Sequence, residues 1–598
     1  MRFDNQKGVP LPTRRTIPSD WPRRTLAETY SILSAPGGPF EMEERLVRGI
    51  PMRVYVHAPS TLREVFDRGA AWGDREYLVF RDERLTFAGV HRAATLLGNT
   101  LAAQFNVRMG DRVALAMRNL PEWVVTFWAV AATGAVIVPI NAWGAGREIE
   151  YAIRDSGAKV LVVDRERLER LGAGILELKQ ASVIAARTPP DELGFAIALE
   201  SLIGPTAGYA TLEETQLLDP GLDTDDDATI FYTSGTTGSP KGALGTHRNM
   251  MTNLVNTGLR FARATLRRGG ALTAPDPAIQ RATLLPVPLF HVTGTHSGIV
   301  PAMLAGTKIV LMYRWQVDEA LALIQQERAN TLVAVPTMCW QIVDSANHDR
   351  FDLSSFDTIT YGGAPSSAEL HRRILECFPG IFVANGFGMT ETSSVVTSNS
   401  AEDLERRPDS IGTPMPCNDF RLVDGEGQDV PEGTPGELLV RGPNVIKGYW
   451  NRPEETLAAL GDGWLHTGDI VRIDKEGFFY ALDRAKDMII RGGENIYCIE
   501  IEDVLVRHPE VVEVAVIGIP HPILGDEVGA VIRVTDNALV DDETLRAFVA
   551  THLAAFKVPA HIFRLRSALP RNVGGKVLKR KLKADLLVSK PEETARDT

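Results

Sequence analysis

Short apolar runs alternate with longer amphipathic segments along the middle of the chain, from about residue 60 to about residue 410. The runs are RVALAM, AVIVPI, KVLVVD, RATLLPVPL, TKIVLM and NTLVAVP, which begin at residues 112, 135, 159, 281, 307 and 330. Amphipathic segments of helical periodicity precede or follow each run. This alternation predicts an α/β fold with mainly parallel sheets.

The pattern changes after about residue 410, where short strands and tight turns follow one another, as in FRLVDGEGQDV and GELLVRGPN. These stretches predict a mostly β subdomain, and the charged stretch LDRAKDMIIRGGENI then precedes a compact α+β block. We predict an irregular N-terminal extension (1–55), a large α/β domain with a β-rich subdomain (56–483), a small C-terminal α+β domain (484–590) and a tail (591–598).

One uncharged segment, Trp123 to Ile140, reaches the length of a short membrane span. Its sequence, WVVTFWAVAATGAVIVPI, contains Gly134 between a helical half and a β-branched half, and Pro139 lies next to its end. A break at the glycine favours a buried helix, a turn and a buried strand. We therefore predict no transmembrane segment.

Composition limits the class of protein further. A chain of 598 residues is too long for one hydrophobic core, since single domains rarely exceed about 300 residues. The 64 Lys and Arg against 76 Asp and Glu give a net charge of -12, which disfavours nucleic acid as a partner. Four cysteines without CxxC spacing fit a reducing compartment, and no apolar run of signal-peptide length follows the N-terminal arginines. We expect a cytoplasmic, multidomain protein.

The glycine- and hydroxyl-rich stretch YTSGTTGSPKG, from Tyr232 to Gly242, has the composition of a phosphate-binding loop. Glycines let backbone N–H groups approach an anion, hydroxyls add donors, and Lys241 supplies a positive charge. The P-loop template, GxxxxGK followed by Ser or Thr, does not fit, because Pro240 precedes Lys241 and Gly242 follows it. On composition alone, a flexible polar loop remains the alternative.

The loop resembles the signature loop of the adenylate-forming (ANL) superfamily, which includes acyl-CoA synthetases, nonribosomal adenylation domains and beetle luciferases. Five further stretches resemble motifs of that superfamily and occur in the expected order: YGGAP (361–365), NGFGMTET (385–392), WLHTGDI (464–470), DRAKDMIIRGGENI (483–496) and PRNVGGKVLK (570–579). Six ordered motifs over about residues 60–585 make a chance match negligible.

The resemblance implies a site for ATP. The nucleotide-binding residues it implies are Thr233, Ser234, Gly235, Thr236, Thr237, Gly363, Ala364, Pro365, Asn385, Gly386, Phe387, Asp469 and Arg484. By this resemblance Phe387 and the GGAP backbone form walls for adenine, and Asp469 binds the ribose diol with Arg484 nearby at the ribose or phosphate. A structural ion pair between Asp469 and Arg484 is the alternative.

The resemblance also assigns catalytic roles. Lys241 would hold the β- and γ-phosphates, and Thr390 would donate to the α-phosphate. Glu391 would orient Mg²⁺, which suits a hard oxygen ligand beside a polyanion. Lys576 would bridge the substrate carboxylate and the α-phosphate during adenylation. The neighbouring Lys579 and Lys581 are predicted to be surface residues.

The resemblance further implies that the small C-terminal domain is mobile and rotates about one hinge residue, Lys486, between two half-reactions. After the rotation Gly492 and Gly493 would allow close approach of the pantetheine arm of CoA. From the residues alone this glycine pair is a turn, so its role depends on the resemblance.

The stretch VPLFHVTGTHSGIV (287–300) matches the block that lines the acyl pocket in the superfamily. Amino-acid-activating relatives carry an aspartate where this chain has His291, so a free amino acid is disfavoured as substrate. His291 resembles the gate of fatty- and aryl-acid enzymes, and a structural histidine is the alternative. The small residues that follow it permit a roomy apolar pocket for a fatty, aryl or polycyclic acid.

These observations predict an AMP-forming acyl-CoA synthetase, an acid–thiol ligase of fatty-acid or lipid metabolism that uses ATP, Mg²⁺ and CoA. An enzyme that passes the acyl group to a carrier protein or to oxygen, and a nucleotide-binding protein without catalysis, are the alternatives. The acid itself and the oligomeric state, for which a homodimer is one option, stay open.

Overall fold

The computed structural model describes residues 17, 19–172, 174, 181–233, 240–273, 276–491, 494–536, 538–571 and 576–588. Its α-helices are α1 (Leu26–Leu33), α2 (Leu62–Gly69), α3 (Phe87–Gln104), α4 (Pro121–Ala132), α5 (Gly146–Ser156), α6 (Arg165–Leu171), α7 (Leu199–Ile203), α8 (His247–Arg267), α9 (Val292–Gly294), α10 (Val300–Ala305), α11 (Val317–Glu327), α12 (Pro336–Val343), α13 (Ala368–Cys377), α14 (Ala401–Arg406), α15 (Pro453–Ala459), α16 (Cys498–Leu505), α17 (Asp542–Ala550) and α18 (Lys579–Val588). A π-helical turn, Thr295–Ile299, joins α9 to α10.

The strands are β1 (Met42–Val47), β2 (Ile50–Tyr55), β3 (Glu76–Phe80), β4 (Glu83–Thr86), β5 (Arg112–Ala116), β6 (Val136–Pro139), β7 (Val160–Asp164), β8 (Ser182–Ala186), β9 (Ile197–Ala198), β10 (Asp227–Thr233), β11 (Lys241–Thr246), β12 (Ala282–Leu285), β13 (Lys308–Leu311), β14 (Thr331–Ala334), β15 (Thr358–Gly362), β16 (Phe382–Met389), β17 (Ser394–Ser400), β18 (Thr413–Pro414), β19 (Asp419–Val423), β20 (Gly436–Arg441), β21 (Gly448–Tyr449), β22 (Leu465–Ile473), β23 (Phe479–Arg484), β24 (Ile489–Arg491), β25 (Glu494–Ile496), β26 (Val511–His521), β27 (Gly525–Val534) and β28 (His561–Arg564).

Two large sheets with parallel centres form the main body of the fold. One has the order β21-β11-β10-β6-β5-β7-β8-β9 and the other β18-β17-β16-β15-β14-β12-β13-β3-β4. Each of the six apolar runs contains one strand (β5, β6, β7, β12, β13 and β14), and these strands pair in parallel. The predicted α/β class is therefore confirmed.

The main hydrophobic core joins apolar side chains from both large sheets. It includes Val113 and Val160 from one sheet and Leu284 and Leu332 from the other. The apolar segment that reached the length of a span contributes α4, which is buried along its whole length, and the buried strand β6. Gly134, with φ of 73°, makes the turn between them, as predicted. In the part of the chain that the structure describes, no helix is long and apolar enough to cross a membrane.

Two smaller sheets follow the main body. The antiparallel sheet β19-β20-β22-β23 forms the predicted β-rich subdomain. The C-terminal block contains the sheet β25-β24-β27-β26, with β28 paired to β27, and α16 and α17 packed on a core of its own. A large N-terminal domain and a smaller C-terminal domain are thus present, while the exact residue at which they divide remains a prediction.

The N-terminal segment predicted to be irregular contains regular structure in its described part. Helix α1 begins with a capping box at Thr25 and packs against α8. The Tyr30 hydroxyl of this helix donates to the Pro414 carbonyl at 3.0 Å. Strands β1 and β2 form a hairpin, and Arg53 pairs with Asp419 at 2.7 Å. The prediction of an irregular segment was wrong for this part. Tertiary contacts with the main body stabilise its helix and strands, and the local sequence pattern does not indicate those contacts.

Candidate active site

The phosphate-loop motif connects two antiparallel strands, β10 and β11. Thr233 ends the first strand, Lys241 begins the second, and the two residues are register partners. Both line a cavity of about 1160 Å³. The predicted contacts Ser234, Gly235, Thr236 and Thr237 lie outside the described residues. The structure thus fixes the two ends of the motif at a cavity wall.

Glu391 lies in a short helical turn, Thr390–Thr392, directly after β16. Its side chain is buried, and its Oε1 accepts a hydrogen bond of 2.8 Å from the Tyr449 hydroxyl. The ammonium group of Lys241 lies 5.2 Å from the centre of the Tyr449 ring. Tyr449 therefore connects the lysine of the phosphate loop to the carboxylate, and it does so because β21 pairs with β11.

Asp469 and Arg484 are register partners on β22 and β23. The guanidinium Nε lies 2.6 Å from Asp469 Oδ1, whereas Asp469 Oδ2 is buried and has no hydrogen-bond partner among the described residues. Burial raises the pKa of the Asp469 carboxyl, and the charges of Arg484 and Lys576 oppose that shift. Oδ1 of Asp469 is thus paired with Arg484, and Oδ2 is left as an acceptor. A vicinal diol has two hydroxyl donors and could satisfy this open acceptor.

Lys576 comes from the C-terminal block and lines the same cavity as Thr390, Glu391 and Lys241. Burial and the positive charge of Arg484 lower its pKa to about 8, while the charge of Asp469 acts in the opposite direction. The ammonium group of Lys576 is therefore close enough to the Asp469–Arg484 pair to interact with it. The structure brings together a lysine and two motifs that lie far apart in the sequence.

A second cavity of about 1220 Å³ adjoins the first, and both are lined by Gly363, Gly386, Arg484 and Lys576. Its wall includes the remaining predicted nucleotide contacts, Ala364, Pro365, Asn385, Phe387 and Asp469. Gly363 begins this wall with a φ of 79°, which favours glycine. The GGAP segment and Phe387 thus line a space that Asp469 also borders.

His291 lines the first cavity on the side of β12 and α9. Its Nε2 atom is buried without a hydrogen-bond partner in the described part of the chain, and burial lowers its pKa to about 4, so the ring is neutral at neutral pH. Of the small residues that follow it, Val292, Thr293 and Ser297 line the cavity. Gly294 and Gly298 instead pack against backbone and side chains of the segment before His291, where a Cβ would collide.

The hinge candidate, Lys486, lies in a turn directly after β23. The Arg484 carbonyl accepts hydrogen bonds from the N–H groups of Asp487 and Met488, at 2.9 and 3.0 Å. Lys486 is exposed and borders the first cavity. The predicted thiol-channel glycines, Gly492 and Gly493, lie outside the described residues.

The prediction that Lys579 is a surface residue was wrong. Its ammonium group lies 2.7 Å from Glu502 Oε1, and its side chain is only 17% exposed. The pKa of Lys579 is raised, because the attraction of Glu502 outweighs the opposing effect of burial. The lysine therefore ties the start of α18 to α16, a contact that the run of basic residues did not indicate.

Tyr449 and Arg260 are two of the cavity residues that were not predicted from the sequence. Tyr449 carries no local signal, since it reaches the site only through strand pairing. Arg260 lies on α8 and lines the first cavity. A signal for it exists in the sequence, because Arg260, Arg263 and Arg267 recur at helical spacing on one buried face of α8.

The arrangement supplies the groups that a phosphoryl-transfer centre requires. Lys241 and Lys576 provide positive charge, Glu391 provides a hard oxygen ligand, and Asp469 provides an open acceptor. Among the described residues, no group of three or more His, Cys, Asp or Glu side chains is positioned to hold a metal ion by itself. A cation at Glu391 would thus need further ligands from a bound polyanion and water.

Comparison with known proteins agrees with this geometry. Family models described as AMP-binding enzyme and AMP-binding enzyme C-terminal domain match residues 65–450 and 500–576. A feruloyl-CoA synthase of Amycolatopsis sp is 37% identical over 83% of this chain and 92% of its own length. A long-chain-fatty-acid–CoA ligase of Bacillus subtilis (strain 168) is 32% identical over 88% and 94%. The crystal structure of the anthranilate CoA ligase AuaEII in complex with anthranoyl-AMP matches with a TM-score of 0.79 at 25% identity, covering 88% of this chain and 98% of that one.

Proposed function

This chain belongs to the family of AMP-binding enzymes, and from that premise we propose that it joins a largely apolar carboxylic acid to CoA with cleavage of ATP to AMP and pyrophosphate. The acid is a fatty, aryl or polycyclic acid. One observation carries the proposal: Lys576 of the C-terminal block lines a cavity that contains Lys241, Thr390 and Glu391 and continues along the apolar residues beside His291.

The first half-reaction forms an acyl-adenylate. A carboxylate oxygen of the acid attacks the α-phosphorus of ATP, the bond to the bridging oxygen breaks, and pyrophosphate leaves with the electron pair. Lys576 orients the carboxylate against the α-phosphate and offsets their negative charges, and Thr390 donates a hydrogen bond to the α-phosphate. Lys241 holds the phosphates that leave as pyrophosphate.

The nucleotide itself is held by the second cavity. The open Oδ2 of Asp469 accepts from the ribose hydroxyls while Arg484 keeps the carboxylate in place. The GGAP backbone and Phe387 enclose the adenine. Glu391 fits a Mg²⁺ ion, because its second oxygen is not engaged by Tyr449 and a hard oxygen ligand suits that ion. Glu391 would hold the ion, which would supply positive charge to offset the negative charge of the phosphates.

The second half-reaction transfers the acyl group to the thiol of CoA. The thiol sulfur attacks the acyl carbon, the mixed anhydride bond breaks, and AMP leaves. We propose that the C-terminal domain, residues 484–590, rotates about Lys486 between the two steps, so that Lys576 withdraws and the segment with Gly492 and Gly493 approaches the acyl-adenylate. His291 borders the route by which the thiol reaches it.

A panel of fatty, aryl and polycyclic acids tests the proposed function. We expect ATP-dependent AMP and pyrophosphate formation with at least one acid, and a CoA thioester of that acid by mass once CoA is added. Formation of pyrophosphate with no thioester, but with acylation of an added carrier protein, would instead identify a carrier-loading enzyme. Absence of pyrophosphate with every acid would contradict an adenylating enzyme altogether.

The kcat/KM of adenylation is expected to fall as the pH rises through about 8. The lowered pKa of Lys576, about 8, belongs to the free enzyme, and kcat/KM reports groups of the free enzyme. Lys576 is protonated below that pH and loses the charge that aligns the two anions above it. Pyrophosphate release without CoA, measured across pH, checks this.

The Lys576→Arg variant is the matched control for the pH dependence, because a guanidinium stays charged over the whole range. We expect its activity to be lower than that of the unaltered protein, and the decline near pH 8 should move to higher pH. A decline at the same pH in both proteins would assign the titration to another group.

A further inference from the structure

Arg260 is a buried cation at the acyl side of the first cavity. Its side chain is 7% exposed, and it lines the cavity together with Val287, Val292, Val333 and Met338. Its Nε atom is sealed from solvent without a hydrogen-bond partner in the described chain. Arg260 thus places a guanidinium-bearing side chain at the wall of the cavity.

The neighbouring arginines on the same face of α8 also have a buried Nε without a hydrogen-bond partner, but the protein provides partners for their outer nitrogens. Arg263 donates to the Ser398 carbonyl at 2.6 Å, and Arg267 pairs with Asp403 at 2.8 Å. For Arg260, by contrast, the described residues provide neither a carboxylate partner nor a hydrogen-bond acceptor, and its guanidinium carbon lies 5.1 Å from the centre of the ring of the adjacent Phe261. Arg260 is thus the member of this row for which the described residues provide neither a counter-charge nor a hydrogen-bond acceptor.

Arg260 is also separate from the charged groups of the phosphate end. Asp469, Arg484, Lys486 and Lys576 act on one another electrostatically, whereas Arg260 experiences burial and the like charge of Arg263, which together lower its pKa to about 10. The presence of Arg260 is therefore not explained by a need for another cation beside the phosphates of ATP. Burying a guanidinium without a counter-charge costs free energy, so a ligand that supplies the counter-charge gains binding free energy.

We infer that the acid carries a second anionic group, remote from the carboxylate that is activated, and that Arg260 binds this group inside the acyl cavity. The inference rests on the proposed function and specifies its substrate class: a dicarboxylic acid whose connecting chain or ring is apolar. Arg260 is then a specificity-determining residue, because a guanidinium binds a carboxylate with two parallel hydrogen bonds. Thr293 and Ser297, which line the same cavity, supply hydroxyl donors.

A neutral acceptor such as a distal hydroxyl or carbonyl is the weaker match. It would accept a hydrogen bond from Arg260, but it would leave the buried positive charge unbalanced. The apolar residues around the guanidinium favour a ligand that neutralises it. An acid with a wholly apolar tail would leave both the charge and its donors unsatisfied.

The test measures AMP formation by the full-length protein with sets of acids that share a carbon skeleton. One set compares straight-chain monoacids with the corresponding α,ω-diacids and ω-hydroxy acids. A second set compares cinnamic acid with para-carboxycinnamic acid. We expect at least one diacid to exceed its monoacid and hydroxy partners in kcat/KM by about 10- to 100-fold, as charged hydrogen bonds typically provide. Equal rates, or a preference for the monoacid or the hydroxy acid in every set, would overturn the inference. Failure of all acids to give AMP would instead contradict the proposed function.

Two variants separate specificity from a structural role. Arg260→Met should abolish the preference for the diacid while activity with the monoacid is kept or rises, and Arg260→Lys should retain part of the preference. Because the methionine removes an unpaired buried charge, we also expect its Tm without ligand to be unchanged or higher. An equal loss of activity with all acids in Arg260→Met, together with a lower Tm, would show a structural role and overturn the inference.

Discussion

Replacing Lys576 with alanine is expected to lower the rate of acyl-adenylate formation by about 100- to 1,000-fold, the range seen when one preorganised donor to a developing charge is removed. The ammonium group reaches a cavity that also contains Lys241, Thr390 and Glu391. Its removal leaves two anions, the carboxylate and the α-phosphate, without the cation that aligns them. Pyrophosphate release without CoA measures this step.

The same variant should form the thioester from supplied acyl-adenylate and CoA at a rate near that of the unaltered protein. The reason is that, in the proposed rotation of the C-terminal domain, Lys576 leaves the reacting atoms before the thiol attacks. Lys475, an exposed lysine in the turn before β23, provides the matched control, and its alanine variant should keep both rates. Equal loss of both half-reactions in Lys576→Ala would refute the assigned role.

Replacing Lys486 with proline is expected to lower the thiolation rate by about 100-fold, as misplaced reacting groups do, with a smaller effect on adenylation. Proline fixes φ near -65° and so removes the backbone freedom that a hinge needs. The two N–H groups that bond to the Arg484 carbonyl belong to Asp487 and Met488, so the substitution breaks neither of these bonds. We therefore expect Lys576 to remain in the cavity in this variant.

A proline at 486 also crowds Ala485, so adenylation is measured in the same preparation to correct for any distortion of the turn. The Lys486→Ala variant removes the same side chain but leaves the backbone free, and its ratio of thiolation to adenylation should stay close to that of the unaltered protein. A thiolation rate unchanged in Lys486→Pro would exclude this residue as the hinge.

The main body of the fold could be predicted because its signals are local. Each of the runs that became β5, β6, β7, β12, β13 and β14 is apolar over the length of a strand, and buried parallel strands require that composition. The segment from Trp123 to Ile140 divided at Gly134 as expected, since a glycine is favoured where φ is positive. Such features depend on a few neighbouring residues and are legible in the sequence.

The N-terminal segment and Lys579 show where local signals fail. Helix α1 and the hairpin β1–β2 depend on contacts with α8 and with Asp419, which are far away in the sequence. Lys579 lies in a basic run that is typical of a solvated helix, but Glu502 on α16 lies beside it and pairs with it. In both cases the partner that decides the structure is absent from the surrounding sequence.

The sequence by itself determined the class of fold, the order of the motifs and the candidate polar residues of the site, because these follow from short stretches of neighbouring residues. Only the tertiary structure decided which of these side chains meet. It paired Asp469 with Arg484 while leaving one oxygen open, placed Tyr449 on Glu391, and left Arg260 without a counter-charge beside the acyl cavity. The physical reason is that hydrogen bonding, burial and charge pairing act over a few ångströms in space between residues that the chain separates by tens or hundreds of positions.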